Sequence, residues 1–292
     1  MKLKGVYAPI PTVFNDGEIV YEELKNNLAK WGKTMLEGLV VLGSNGEFVL
    51  LDEDEKVELT AFVRENYPAE KPVIAGTGCE STRATIRLTN KCAEAGVDAA
   101  LILTPSYYKG SMTDEALKAF FTDVADASNV PVILYNMPRN TGVNMSAALV
   151  SELSEHPNII GIKDSSGNIV QIAAIIADSS PNFSVFAGSG SFLYASLCLG
   201  ATGGTLAVAN ILADKCFQIV DLFNQGRYEE AKMIQFKILE ANAAVTSRWG
   251  IAGLKAAMDL VGYFGGEVRK PLINLSDQNR EEMKKILKKV GV

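Results

Sequence analysis

The chain has 292 residues, of which 48% are apolar and 21% are charged, so a disordered chain is excluded. Its length favours either two domains or one barrel of about 250 residues with an added segment. The formal net charge of -6 argues against a nucleic-acid partner, and the four scattered cysteines, which form no CxxC pair, argue against a disulfide framework or a zinc site.

The amino-terminal residues 1–6 run into Pro9 and Pro11 without the apolar segment of a signal peptide or the pattern of a transit peptide. No apolar stretch approaches the roughly 20 residues that span a bilayer. We therefore expect a soluble, cytoplasmic protein with no membrane partner.

Eight short apolar runs, bounded by Gly or Pro, recur up to residue 208. Runs that are apolar on both faces are typical of buried parallel strands. Helical segments lie between them, and Asp52 with Glu55 predicts a capping box at the start of one helix. The eight runs are residues 6–10, 39–42, 72–75, 99–103, 130–134, 159–162, 183–187 and 205–208.

This alternation of strands and helices predicts an α/β fold, a (β/α)8 TIM barrel, over residues 1–210. The alternative is an open doubly wound sheet, but no GxGxxG motif follows the first apolar run. Beyond residue 210 the pattern predicts only helices, at 213–225, 228–244, 251–261 and 276–289. We expect residues 211–292 to form a helical appendix packed on the barrel as part of one structural unit.

The single histidine, His156, lies in a predicted helix-ending turn before an apolar run. We expect a surface turn residue there. A Ser-His-Asp triad or a histidine metal site would depend on this one side chain, so neither is favoured. Acid–base work must come from Tyr, Lys, Ser or carboxylate groups.

Functional residues of such barrels lie at the carboxyl ends of the strands. Lys163 closes the run 159–162, where burial would lower the pKa of its amine and allow attack on a carbonyl. The same lysine could instead pair with Asp164 or an anionic ligand. Tyr135 ends the preceding strand, where it could shuttle protons or simply pack in the barrel with its hydroxyl bonded to backbone.

The loop Gly43-Ser44-Asn45-Gly46-Glu47 follows the second predicted strand. Its glycines would let backbone N–H groups converge on an anion, although an ordinary turn would use the same residues and Glu47 could serve the next helix start. Two further glycine clusters, residues 188–190 and 203–204, lie where many barrels hold phosphate. Since no Lys or Arg lies nearby, we favour room for a small substrate there.

Together these residues resemble the pyruvate-dependent Schiff-base lyases of the dihydrodipicolinate synthase and N-acetylneuraminate lyase superfamily. In that superfamily a Gly-[Ser/Thr]-x-Gly-Glu loop, a strand-end Tyr and a Gly-x-Lys strand end recur in the order seen here, at 43–47, Tyr135 and 161–163. The resemblance covers essentially the whole chain. Four segments are most similar to the 4-hydroxy-2-oxoglutarate aldolases: residues 43–48, 75–82, 104–110 and 244–251.

The resemblance implies that Lys163 forms an imine with the C2 carbonyl of pyruvate or another 2-oxo acid, with no metal and no cofactor. Tyr135 would relay protons, linked to Ser44 and to Tyr107 from a neighbouring subunit of a homotetramer. Ser44 and Asn45 would hold the pyruvyl carboxylate. The residues predicted to contact substrate are Asn45, Gly46, Asn140, Ser165, Gly188 and Thr205.

One departure from the resemblance bears on the substrate. Dihydrodipicolinate synthases carry an Arg ahead of the Thr-Gly turn after the strand-end tyrosine and use it to grip aspartate semialdehyde. Here Asn140 stands at that place and Arg139 is displaced by one. An Asn supplies no bidentate, charged clamp, although Arg139 could compensate if the loop shifts.

We therefore expect a class I aldolase that cleaves or forms a 4-hydroxy-2-oxo acid, such as 4-hydroxy-2-oxoglutarate from pyruvate and glyoxylate. One alternative is 4-hydroxy-tetrahydrodipicolinate (dihydrodipicolinate) synthase, which condenses pyruvate with aspartate semialdehyde in lysine biosynthesis. Others are an aldolase for 2-oxo-3-deoxy sugar acids and a non-catalytic barrel that binds a 2-oxo acid.

Overall fold

A computed structural model describes residues 3–292, and residues 1 and 2 of the predicted barrel region lie outside it. Eight parallel strands close into a barrel with helices between them, so the predicted (β/α)8 barrel is confirmed. The described residues contain ten strands, of which β1 and β4 to β10 form the barrel. They are β1 (Gly5–Pro9), β2 (Phe14–Asn15), β3 (Glu18–Ile19), β4 (Gly38–Val41), β5 (Val73–Gly76), β6 (Ala99–Leu103), β7 (Val132–Asn136), β8 (Ile159–Asp164), β9 (Ser184–Ala187) and β10 (Gly203–Thr205).

The barrel closes in the order β1-β10-β9-β8-β7-β6-β5-β4, while β2 and β3 form a separate hairpin. The helices are α1 (Tyr21–Gly32), α2 (Glu53–Asn66), α3 (Thr82–Glu94), α4 (Asp114–Ala127), α5 (Pro138–Thr141), α6 (Ala147–Leu153), α7 (Ile169–Asp178), α8 (Leu193–Leu199), α9 (Ala213–Asn224), α10 (Tyr228–Ala243), α11 (Gly250–Leu260) and α12 (Asp277–Val290).

The capping box predicted at the start of α2 is confirmed. The Asp52 carboxylate accepts from the Glu55 N–H at 2.9 Å, and the Glu55 carboxylate accepts from the Asp52 N–H at 3.0 Å. Both bonds satisfy N–H groups that the first helical turn leaves without intrahelical partners. The beginning of α2 is thereby fixed.

The last predicted strand is wrong in position. β10 covers Gly203–Thr205, and the apolar residues that follow form a 3-10 helix, Ala207–Asn210. A side chain at Gly203 would place its Cβ 1.9 Å from the Gly5 carbonyl oxygen, so glycine is needed for β1 and β10 to pair. The room attributed to residues 203–204 is therefore taken by Gly5 of β1 at Gly203, and by Leu206 and Ala187 at Gly204, rather than by substrate.

The hairpin β2–β3 is an element that the sequence interpretation missed. Its turn residues, Asp16 and Gly17, both have positive φ, which is the backbone geometry that an Asp-Gly pair favours in tight hairpins. Phe14 also forms an isolated bridge with Glu267, so the hairpin meets the segment between α11 and α12.

The carboxy-terminal helices share a hydrophobic core with the barrel. One cluster of buried side chains contains Val6 and Leu39 from barrel strands together with Met283 and Ile286 from α12. A smaller cluster, which includes Tyr135, fills the interior of the barrel. None of the helices in the described part of the chain combines the length and apolar character needed to cross a membrane.

Candidate active site

An open cavity of about 580 Å³ lies at the carboxyl end of the barrel. Strand ends, the loops after them and the carboxy-terminal region all contribute to its wall. Among residues 3–292, Lys163 and Arg139 are the two cationic side chains that line it. Such a position is the usual location for the active site of this fold.

Lys163 and Tyr135 are brought together by the register of β7 and β8. The two residues are direct partners in neighbouring parallel strands, so their side chains leave the sheet on the same face. The Lys163 ammonium nitrogen lies 4.1 Å from the centroid of the Tyr135 ring, and both side chains are buried. The cavity therefore contains an amine and a phenol in contact.

The phenol of Tyr135 is the titratable group that this contact changes most clearly. Burial opposes its ionisation, but the charge of Lys163 and hydrogen bonding with Ser44 outweigh burial, so the pKa of Tyr135 lies below its ordinary value. A phenol with a lowered pKa is a better proton carrier near neutral pH.

Asp164 is not the partner of Lys163. Because side chains alternate along β8, the Asp164 carboxylate points away from the cavity, where it accepts hydrogen bonds from Asn136 at 2.8 Å and from the backbone of Ser166 at 2.8 Å. Within residues 3–292, Lys163 forms no ion pair. The pairing of Lys163 with Asp164, which the sequence left open as an alternative, is therefore not formed, and the lysine is available to a ligand.

The loop after β4 brings Ser44 to the tyrosine. Ser44–Gly46 forms a 3-10 turn, and the Ser44 hydroxyl lies 3.4 Å from the Tyr135 hydroxyl. Ser44 and Asn45 both line the cavity, whereas Gly46 is buried behind them and accepts a hydrogen bond from the Thr12 hydroxyl at 2.7 Å. The predicted link between Ser44 and Tyr135 is present in the structure.

Glu47 does not serve the start of α2, as the sequence interpretation allowed. Its side chain is buried and contacts Lys255 of α11, while Asp52 caps the helix. The sequence does not indicate this partner, because Lys255 lies far from Glu47 along the chain, in the carboxy-terminal region.

Three further predicted residues, Asn140, Ser165 and Gly188, line the cavity, and Thr205 is buried outside its wall. The Ser165 hydroxyl oxygen is buried without a hydrogen-bond partner. A Cβ at Gly188 would lie 1.9 Å from this oxygen, so the glycine leaves space for the serine. Ser165 thus lies beside Tyr135, whose pKa it helps to lower, and it has hydrogen-bonding capacity to spare at the site.

Tyr107 lies away from Tyr135 within one chain. Its side chain is 79% exposed, and its ring contacts that of Tyr108 edge-on with centroids 5.0 Å apart. The Glu80 carboxylate, which the sequence interpretation did not consider, accepts from the Ser106 and Tyr107 N–H groups at 2.9 Å each and so fixes this loop.

The carboxy-terminal region supplies a wall that sequence reasoning missed. Residues of the π-helical turn Ala244–Arg248, including Thr246 and Ser247, line the cavity, as does Gly250 at the start of α11. Their presence in a segment similar to the aldolases was the signal available beforehand.

His156 lies at the opposite end of the barrel, in the turn before β8. Its Nε2 is 3.0 Å from an Asp126 carboxylate oxygen, and its Nδ1 accepts from the Asn158 N–H. The predicted turn position is confirmed, although the side chain is largely covered rather than free on the surface.

Comparison with known proteins agrees with this geometry. The family model described as "Dihydrodipicolinate synthetase family" matches residues 2–290. The chain belongs to this family. Members of the dihydrodipicolinate synthetase family are class I lyases that join a lysine to pyruvate as a covalent Schiff base, so the protein is a pyruvate aldolase of this family.

Relatives with two different activities match over nearly the full length. A probable mitochondrial 4-hydroxy-2-oxoglutarate aldolase from Emericella nidulans is 36% identical, covering 96% of this chain and 92% of the relative. A 4-hydroxy-tetrahydrodipicolinate synthase from Caldicellulosiruptor saccharolyticus is 35% identical, covering 99% and 97%. A dihydrodipicolinate synthase structure from Acinetobacter baumannii, complexed with pyruvate, is 29% identical with a TM-score of 0.94, covering 100% of each chain.

Proposed function

We propose that Lys163 is the Schiff-base lysine and that the enzyme interconverts a 4-hydroxy-2-oxo acid, such as 4-hydroxy-2-oxoglutarate, with pyruvate and an aldehyde such as glyoxylate. The observation that carries the proposal is the contact between the Lys163 amine and Tyr135 in the cavity. An amine without an ion-pair partner, next to a phenol, fits imine chemistry.

The first step joins the substrate to the enzyme. The neutral Lys163 amine attacks C2 of the 2-oxo acid, Tyr135 transfers protons to the C2 oxygen, and water leaves to give a protonated imine. Ser44 lies at the Tyr135 hydroxyl and can pass these protons on. Its hydroxyl, the adjacent N–H groups and the Asn45 amide are the proposed donors to the carboxylate next to C2.

The second step cleaves the carbon–carbon bond. A base removes the proton of the C4 hydroxyl, the C3–C4 bond breaks, and its electron pair enters the imine to form an enamine. The aldehyde leaves, C3 is protonated, and hydrolysis of the imine releases pyruvate. Tyr135, with its lowered pKa, is the proposed proton carrier, and Ser165 offers a hydrogen bond to the reacting groups.

Our assignment of the second substrate depends on two residues of α5, Arg139 and Asn140. Asn140 lines the cavity at the place of the synthase arginine, so the charged clamp for aspartate semialdehyde is missing. Arg139 lines the cavity from the neighbouring position and is exposed at its mouth. We assign Arg139 to the far carboxylate of 4-hydroxy-2-oxoglutarate, which lies at the opposite end from the imine.

Synthase activity is the second candidate, since relatives with that name match nearly as well. The test compares pyruvate release from 4-hydroxy-2-oxoglutarate with consumption of pyruvate and aspartate semialdehyde. We expect the wild-type enzyme to prefer the first and Asn140→Arg to shift the ratio towards the second. Higher wild-type activity with the semialdehyde would reverse the assignment.

A homotetramer with Tyr107 completing a neighbour's site is also part of the proposal. The exposed pair Tyr107 and Tyr108 on a loop fixed by Glu80 supports a contact with a second copy of the chain. We expect a tetramer by native mass measurement, and a fully active monomer would contradict the role of Tyr107. The cytoplasmic location remains a prediction from the sequence.

A further inference from the structure

The loop that carries Ser44 and Asn45 is flanked on both sides by residues with unusual backbone geometry. Leu42 and Glu47 have φ values of 57° and 56°, although neither is glycine. Left-handed backbone of this kind is strained for such residues and persists only where the surroundings enforce it. Something must therefore hold the loop in place.

The Glu47 side chain provides the hold at the carboxyl end of the loop. One carboxylate oxygen lies 2.5 Å from the Lys255 ammonium nitrogen, and the other accepts from the Arg269 N–H at 2.8 Å. The side chains of Glu47 and Lys255 are 1% and 2% exposed, respectively. Because water does not screen this pair, its geometry is more restrictive than that of a surface ion pair.

Lys255 is itself fixed from several sides. Its ammonium group donates to the Glu267 carbonyl oxygen and lies 4.6 Å from the centroid of the Phe14 ring. It belongs to α11, the first residue of which lines the active-site cavity. Helix α11 thus contacts both the cavity and the anchor of the Ser44 loop.

Arg269 connects the same anchor to the segment after the loop. Its guanidinium donates to the carbonyl oxygens of Gly17 and Leu50 and forms an ion pair with Glu55. The backbone N–H of Arg269 donates the hydrogen bond that the Glu47 carboxylate accepts. The loop, the hairpin and the start of α2 are therefore joined at one point.

We propose that Glu47 and Lys255 form a positioning pair that holds the loop 43–46 so that Ser44 and Asn45 meet the carboxylate of the bound 2-oxo acid. Neither member of the pair lines the cavity. They act through the loop rather than on the substrate. This inference depends on the proposed roles of Lys163 and Ser44, but not on which aldehyde the enzyme uses.

The alternative is that the pair only stabilises the fold. Removing one partner of a buried ion pair leaves an uncompensated charge, whereas replacing both by apolar residues is often nearly neutral for stability. The double variant Glu47→Leu/Lys255→Met removes the anchor without leaving a buried charge. Glu47→Gln is a second variant, which keeps the size of the side chain and an oxygen acceptor but leaves the Lys255 charge unpaired, so its folding is measured alongside.

The experiment measures pyruvate KM and the rate of borohydride-trapped adduct formation with pyruvate alone. We expect both variants to raise the KM for pyruvate about tenfold, because a small misplacement of donors weakens a bound carboxylate. The adduct rate at saturating pyruvate should fall less than the affinity. Leu149→Ala, in a core cluster away from the loop, is the control for lost stability and should keep the wild-type KM.

A folded double variant, or folded Glu47→Gln, with a wild-type KM for pyruvate would overturn the inference and leave the pair a purely structural role. Failure of the proposed function gives a different result, since the wild-type enzyme would then form no adduct at all.

Discussion

The two ends of the barrel use their polar side chains differently. At the amino end, Arg64 donates to the carbonyl oxygens of Lys71, Tyr67 and Pro68, and the Lys71 ammonium donates to the Thr34 carbonyl. These bonds connect the turns that lead into neighbouring strands. These four bonds lie within the protein, while the buried hydroxyls at this end that have no partner among residues 3–292, those of Tyr67, Ser179, Ser184 and Thr202, do not line the open cavity of the active site.

At the carboxyl end, polar groups remain available. Lys163 has no ion-pair partner among the described residues, the Ser165 hydroxyl is buried without a partner, and the Ser44–Tyr135 contact is long at 3.4 Å. Buried polar groups are usually satisfied, so unsatisfied ones require an explanation. In the described part of the chain, unpartnered buried hydroxyls occur at both ends, so the carboxyl end differs because its available groups, Lys163 and Ser165, line an open cavity where a substrate can reach them.

The largest effect is expected from Lys163→Ala. Removing the amine removes the proposed covalent step, so kcat should fall by roughly 10⁴-fold or more while the protein stays folded. Steady-state pyruvate release measures the loss, and the melting temperature measures the fold. Lys118→Ala, a surface position paired with Glu152, is the control. If Lys163→Ala retained substantial activity, the assignment of chemistry to this end of the barrel would fail.

Tyr135→Phe should have the next largest effect. Loss of a positioned proton carrier is expected to lower kcat by about 10²- to 10⁴-fold. Tyr7→Phe is the matched control, because Tyr7 is also a buried barrel tyrosine but lies outside the cavity wall. Titration of tyrosine absorbance should show that the group lost in Tyr135→Phe ionises below the ordinary tyrosine range. Equal kinetic effects of both substitutions would contradict the special role of Tyr135.

Arg64→Ala tests the amino end. The substitution removes the Arg64 bonds to three carbonyl groups, of which Pro68 keeps the Lys71 N–H as a donor, and the Arg64 side chain is only 15% exposed. We expect the free energy of unfolding to fall by about 2 kcal/mol, with kcat of the folded enzyme unchanged. Denaturant unfolding measures the first quantity. The exposed Arg83→Ala should change little, and a large loss of kcat in Arg64→Ala would blur the distinction between the two ends.

Glu53→Gln tests whether a side chain with hydrogen-bond partners within the protein stabilises the fold wherever it lies in the barrel. Hydrogen bonds from Arg87 and Lys91 lower the pKa of Glu53 from 4.5 to about 2. Because the folded pKa is lowered, the contribution is fully present above the unfolded pKa and is lost as pH falls from about 4.5 to 2. The Glu53 side chain is partly exposed and the pair is screened by water, so we expect the substitution to cost about 0.5 kcal/mol at pH 7. A difference that grows on acidification would contradict this sign.

Much of the fold could be predicted because most strands appear in the sequence as short apolar runs. The run 99–103 coincides with β6, and the capping box at Asp52 is confirmed. The eighth strand was misplaced because Gly203 of β10 is required by its contact with β1, which no local pattern shows.

The candidate site was only partly predictable for the same reason. Strand-end positions gave Lys163 and Tyr135, since parallel strands bring their carboxyl ends together. The contact of Glu47 with Lys255 joins segments far apart in the chain, and so does the wall formed by Thr246. Charge and hydropathy patterns within one segment do not report such partners.

The most direct test of the account is the identity of the lysine that reacts with pyruvate. The wild-type enzyme is incubated with pyruvate and borohydride, its intact mass is measured, and the modified peptide is sequenced by mass spectrometry. We predict one stable adduct per chain, located on Lys163 and missing from Lys163→Ala. The absence of an adduct, or an adduct on any other lysine, would contradict the central claim.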